Sequence, residues 1–137
     1  MKNMKTLIVM LCLTGLTPLI SAQSAASAPP VRVAPADAKT HIGEMATVCG
    51  KVVDNKVSKY GLSGRGKPVF FDIDQPQPNP VFYFVAFGTQ SGGADEVIAA
   101  YQDKQVCVTG KISAAPSGGP FIMASDRAQI KLQAEAK

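Results

Sequence analysis

The sequence is poor in the side chains that most often carry chemistry. Among its 137 residues there is one histidine, His41, and there are three cysteines, Cys12, Cys49 and Cys107. A single histidine, far from any convincing nucleophile, gives no support to Ser/His/Asp or Cys/His catalysis. It also leaves a zinc-type site short of ligands. No repeat of solenoid length occurs. The one long hydrophobic run, Leu7 to Ile20, is broken by Thr14, Gly15, Thr17 and Pro18. It falls short of the roughly 20 apolar residues that a membrane-crossing helix needs.

That run does have an order of its own. Lys2 and Lys5 precede it, and Ile20-Ser21-Ala22 closes it with a small residue. Charge, apolar stretch and small residue, in that order, predict a secretory signal over residues 1–22. Cleavage is expected after Ala22, because a cut after Ala28 would leave Pro29 at the new terminus. Leu11 before Cys12 argues against lipid attachment. The chain is therefore expected to be periplasmic or secreted, with no stable membrane span once the signal is gone. Two lysines and no acid leave with it, so the formal charge falls from +4 to +2. A balance that weak permits an anionic partner without arguing for one. The remaining 115 of 137 residues suit one domain with a modest core.

Cleavage also leaves an even pair of cysteines. In an exported protein Cys49 and Cys107 are read first as a disulfide, against two buried thiols or a metal pair lacking other ligands. The bridge would close a loop of 59 residues, worth about 4 kcal/mol on the chain-entropy model.

Along the chain, residues 23–38 are rich in Ala, Ser and Pro and predict an extended tether, with order beginning near Ala38. The domain then covers 39–133, and 134–137 is a tail. Strands are expected at Ala46–Val53, Pro68–Asp74, Val81–Phe87, Gln105–Ser113 and Phe121–Leu132, the last with a break near Asp126. Val97, Ile98 and Tyr101 share one helical face in a short helix over Asp95–Asp103. Strand, strand, strand, helix, strand, strand is the order of an all-β, five-stranded Greek-key barrel of the OB-fold type, with its helix between the third and fourth strands. Alternation supplies a check. In the first strand Val48 and Val52 point one way and Cys49 and Lys51 the other; in the fourth, Val106, Val108 and Ile112 oppose Cys107, Thr109 and Lys111. The first and fourth strands of such a barrel are neighbours, so a cross-strand bridge is geometrically reasonable.

Three segments carry a resemblance: Thr47-Val48-Cys49-Gly50-Lys51-Val52, Pro78-Asn79-Pro80-Val81-Phe82, and Val106-Cys107-Val108-Thr109-Gly110-Lys111-Ile112. Together they look like the small OB-fold domains of bacterial exported proteins, some of which are attached to thermonuclease-like enzymes. The resemblance spans about Thr40 to Leu132 and implies an accessory or binding role. It brings no catalytic residues, and no nuclease domain is present in the sequence.

Gly61-Leu62-Ser63-Gly64-Arg65-Gly66-Lys67 has the glycine and lysine spacing of a phosphate loop. Pro68 stands where Ser or Thr is required, and a strand is expected in place of the helix, so a nucleotide site is rejected. As a loop between strands the segment holds more interest. Lys56, Lys59, Tyr60, Arg65 and Lys67 surround its glycines. Basic loops and sheet aromatics are what OB-folds use to grip oligonucleotides. Tyr83 and Phe87 would join them if Phe82, Phe84 and Ala86 face inward, with Phe70 and Lys51 as further candidates. The plainer reading is a solvated basic loop beside ordinary sheet aromatics. Asp72 and Asp74, two apart on one strand, read as a solvated face rather than a cation site or an acid/base pair, and they would repel phosphate. His41 reads as a surface residue. The expectation is a non-enzymatic binding module without metal or cofactor. Single-stranded nucleic acid or oligonucleotide is its first candidate partner. The alternative is an envelope module for a protein, a small ligand or a cation.

Overall fold

The computed structural model describes residues 28–61, 64–88 and 93–134. The predicted signal and its cleavage site, residues 23–27 of the expected tether, Leu62 and Ser63 of the basic loop, and all but Ala134 of the tail lie outside them.

Among the described residues seven strands and one α-helix run in the order β1 (Val31–Val33), β2 (Met45–Val57), β3 (Pro68–Ile73), β4 (Phe82–Phe87), α1 (Ala94–Tyr101), β5 (Gln105–Ala114), β6 (Pro120–Met123) and β7 (Ile130–Leu132). Short 3-10 helices occupy Pro35–His41 and Arg127–Gln129. The sheet order is β1-β2-β3-β4-β6-β5-β7, and a further β2–β5 pairing closes β2, β3, β4, β6 and β5 into a ring. The fold is all-β and sheet-rich, with α1 between β4 and β5 as the sequence order predicted.

β2 is long because it serves both sides of the ring. Met45–Lys51 pairs antiparallel with β5, and Val52–Val57 pairs antiparallel with β3. Between Val52 and Asp54 the register shifts. An extra residue there bends a strand and increases its twist, which lets one strand turn from one half of the ring into the other. Two glycines assist the closure and account for the echo of Cys-Gly-Lys in Thr-Gly-Lys. A Cβ on Gly50 would come within 2.4 Å of Ile73 Cγ2, and one on Gly110 within 2.7 Å of Ile122 Cγ2. Both glycines face the core where strands cross closely.

The interior holds Val48, Val52, Val69, Phe71, Ile73, Phe82, Phe84, Val106, Val108, Ile112 and Ile122, all at most 2% exposed. These are the period-2 inward positions, so alternation fixed the core. Phe71 stacks on Phe84 at 4.9 Å between centroids, and Tyr101 of α1 meets both rings edge-on. α1 packs on β2, β3 and β4, closing one end of the ring with Val97 and Tyr101. The Pro35–His41 helix packs on β2, β4, β5 and β6 at the other end, with Ala38 fully buried.

Four expectations change. Secondary structure begins at Val31, not near Ala38, because Val31-Arg32-Val33 pairs in parallel with Ala46–Val48 and buries Val33. Pro35 starts a 3-10 helix instead of ending a tether; its fixed φ suits a helical first turn. β2 continues four residues past Val53, into the stretch expected as loop. The fifth expected strand is two, β6 and β7, with the break where it was placed: the Asp126 carboxylate accepts from Ala128 N at 2.8 Å and starts the Arg127–Gln129 turn.

Candidate functional site

Cys49 and Cys107 are directly opposed in the β2–β5 register and joined as a disulfide, with Cα atoms 4.0 Å apart. The pairing read from export and alternation is present. Beside it Thr47 and Thr109 share a 2.8 Å hydrogen bond between hydroxyls.

The aromatic residues gather on the opposite half of the ring, on the outward face of β3, β4 and β6. Register places Asp72 opposite Tyr83 and Phe70 opposite Val85, and parallel pairing sets Tyr83 beside Phe121. Tyr83 and Phe121 stack with centroids 5.2 Å apart and planes 6° from parallel; Phe70 lies 5.9 Å from Tyr83, tilted by 49°. All three rings are half-buried, so each keeps an open edge or face. Phe70 and Tyr83 line a groove of about 600 Å³. Pro78, Pro80 and Pro120 form its walls, and Lys39 stands at its rim. Phe121 is a residue the sequence reading missed. Its place beside Tyr83 depends on the parallel β4–β6 register, for which a single sequence carries no signal.

Asp72 sits among these rings. It is only 3% exposed, accepting from Gln77 N at 3.2 Å and from Gln77 Nε2 at 3.3 Å. The solvated strand face expected for it is corrected here, since the Gln75–Pro80 loop folds back over the carboxylate. Burial is the main effect and raises its pKa above 3.8, with the nearby Asp54 charge adding to the rise; the Gln77 hydrogen bonds and the Lys56 charge act the other way. Tyr83 is raised above 10.0, first by burial and then by the Asp72 charge. Asp74 does not share the face of Asp72. It lies past the end of β3 at φ 61°, and its carboxylate accepts from Lys51 N at 3.0 Å. The two carboxylates therefore form no pair. Among the described residues no group of three or more His, Cys, Asp or Glu is placed to hold a metal ion. His41 is partly exposed, its Nδ1 2.7 Å from Glu44 Oε2.

The remaining predicted site residues scatter. Lys59 and Tyr60 are exposed at the loop, Tyr60 by 82%. Lys67 is exposed at its end, just before β3. Phe87 is 7% exposed, because the Arg65 guanidinium lies over its ring at 5.7 Å. It is a wall, not an open stacking surface. Arg65 also donates to Ser125 Oγ at 3.3 Å. With Arg127, which lies 5.9 Å over Tyr101 and 4.0 Å from Glu96, it rims a cleft of about 480 Å³ beside α1. Hydrogen bonding to Tyr101 raises the Arg127 pKa further above its ordinary value, so it is a fixed cation. Lys51 belongs to neither place. It pairs with Gln105 on the disulfide half of the ring.

A scan against protein-family models finds no match, and a search of the curated proteins finds none either. The described residues include no helix long and apolar enough to cross a membrane.

Proposed function

We propose that the chain is an exported, non-enzymatic OB-fold module that binds single-stranded nucleic acid or oligonucleotides across the outward face of β3, β4 and β6. The observation that carries this reading is the run Phe70–Tyr83–Phe121, three half-buried rings in mutual contact across neighbouring strands. Aromatic platforms of this kind accept bases without regard to sequence, each stacked base being worth about 1–3 kcal/mol. The five-strand ring with a helix between β4 and β5 fits the OB type and the resemblance in the Cys-Gly-Lys and Thr-Gly-Lys segments.

Cations near the face are few: Lys56 opposite Phe70, Lys39 at the groove rim, and Lys59 and Lys67 at the loop. Asp54 and Asp72 oppose them. Stacking therefore supplies more of the affinity than phosphate contact, and salt dependence is shallow. A labelled oligonucleotide titrated at two salt concentrations tests this. Saturable binding that weakens several-fold in Tyr83→Ala and Phe121→Ala is the expected result. No binding at low salt would remove the reading.

The cleft beneath Arg65 and Arg127 favours a second reading, a small anionic ligand with an apolar body. Its walls are Phe87, Tyr101 and Ile130, and its rim carries two guanidiniums. Protection of the fold by such a ligand, lost in Arg127→Gln, would separate it from the first.

A further inference from the structure

The other half of the ring has a different surface. Its outward positions are Arg32 on β1, Met45, Thr47, Cys49 and Lys51 on β2, Gln105, Cys107, Thr109 and Lys111 on β5, and Lys131 on β7. Four of the ten are cations and none is a carboxylate. Arg32, Lys51, Lys111 and Lys131 are all exposed, and among the described residues none of them takes part in an ion pair. Register spreads them apart. Arg32 stands beside Thr47, Lys131 beside Cys107, Lys111 beside Met45, and Lys51 beside Gln105. By strand geometry this is a face of roughly 20 Å by 14 Å, with cations around its margin. Its centre, the Cys49–Cys107 disulfide and the Thr47–Thr109 hydrogen bond, is uncharged and cross-linked.

We infer that this face docks on a membrane surface through anionic phospholipid headgroups. Cations spread over a flat area match a planar layer of phosphates. They match a single bound phosphate poorly, since that would need them converging. Nucleic acid is the competing polyanion, but this face carries no aromatic ring on which a base could stack. Where β2 begins it carries exposed apolar side chains instead: Met45, an outward position, at 59%, and three residues earlier Ile42 at 40%. An interfacial layer takes up such side chains while the lysines stay at headgroup level. The disulfide holds β2 and β5 together, so the cation pattern is preorganised. The inference is independent of the aromatic face and survives if that face binds no oligonucleotide.

Co-sedimentation with vesicles tests it. The chain, its N terminus established by mass, is mixed with vesicles of phosphatidylcholine alone and of phosphatidylcholine with phosphatidylglycerol. The quantity read is the increment in binding caused by phosphatidylglycerol, compared between variants with the same N terminus so that any contribution of Lys2 and Lys5 cancels. We expect a clear increment at low salt, suppressed at high salt, falling roughly fivefold for each cation replaced by Gln at Arg32, Lys51, Lys111 or Lys131. Lys56→Gln with Lys67→Gln, on the other half of the ring, should leave it unaltered. A reductant-free mass showing the disulfide, together with unchanged cooperative unfolding, establishes that each variant is folded. Equal binding to both vesicle types would overturn the inference, and so would a quadruple variant that keeps the increment. It would be overturned equally if an oligonucleotide bound through these four cations more tightly than the vesicles do.

Discussion

The two outward halves of the ring are made from the same alternation and end with opposite characters. On β3, β4 and β6 the outward positions carry Phe70, Tyr83 and Phe121 around a buried Asp72, with Asp54 across from it. On β1, the Met45–Lys51 stretch of β2, β5 and β7 they carry Arg32, Lys51, Lys111 and Lys131 around a disulfide, without a carboxylate. A net charge of +4 hides this division. The mean charge of a small protein says little about its partners; the assignment of charge to strand faces says more.

The largest effect should come from unlinking the basic half. Cys49→Ser with Cys107→Ser removes a constraint across 58 positions of chain, and we expect a loss of about 4 kcal/mol in urea unfolding. Retention of full stability in that variant would show that the disulfide is not what holds this half together. Next is the close crossing at Gly50. An alanine there forces Ile73, and through it the join between the halves, to move; about 1–3 kcal/mol should be lost by the same measurement.

The division was legible in part. Alternation in β2 and β5 assigned Val48, Val52, Val106, Val108 and Ile112 inward and Cys49, Lys51, Cys107 and Lys111 outward, which carried both the core and the disulfide. A period of two has only two faces to choose between, so local pattern suffices. Alternation does not say which outward residues from different strands meet. Residue type alone groups Lys51 with the basic loop, yet it lies on the other half; it groups Phe87 with the open aromatics, yet Phe87 lies under Arg65; and it gives no reason to place Phe121 beside Tyr83. Each of these depends on register or on a loop folding back, and neither is written in local periodicity. The same holds for Asp72, whose burial comes from Gln77 five residues on, and for Val31–Val33, a three-residue strand too short to show a period.

A smaller effect is expected from the buried carboxylate on the aromatic half. Its folded pKa is raised above the unfolded value of 3.8, so the folded state holds the proton more tightly than the unfolded one. The stability this contributes is complete below pH 3.8 and is lost as pH rises through the folded pKa. The difference in unfolding free energy between the parent and Asp72→Asn should therefore shift in favour of the variant as pH rises through that window, and stay flat above it. A difference that does not vary with pH would contradict the assignment.

The central claim is that stacking on Phe70, Tyr83 and Phe121, not the spread of cations, binds single-stranded nucleic acid. Fluorescence titration of a labelled oligonucleotide against the parent, Tyr83→Ala, and Lys51→Gln with Lys111→Gln addresses it most directly. The account predicts a loss of about 1–3 kcal/mol for Tyr83→Ala and parent-like affinity for the double lysine variant. The reverse order, with Tyr83→Ala binding like the parent and the lysine variant failing, would contradict it.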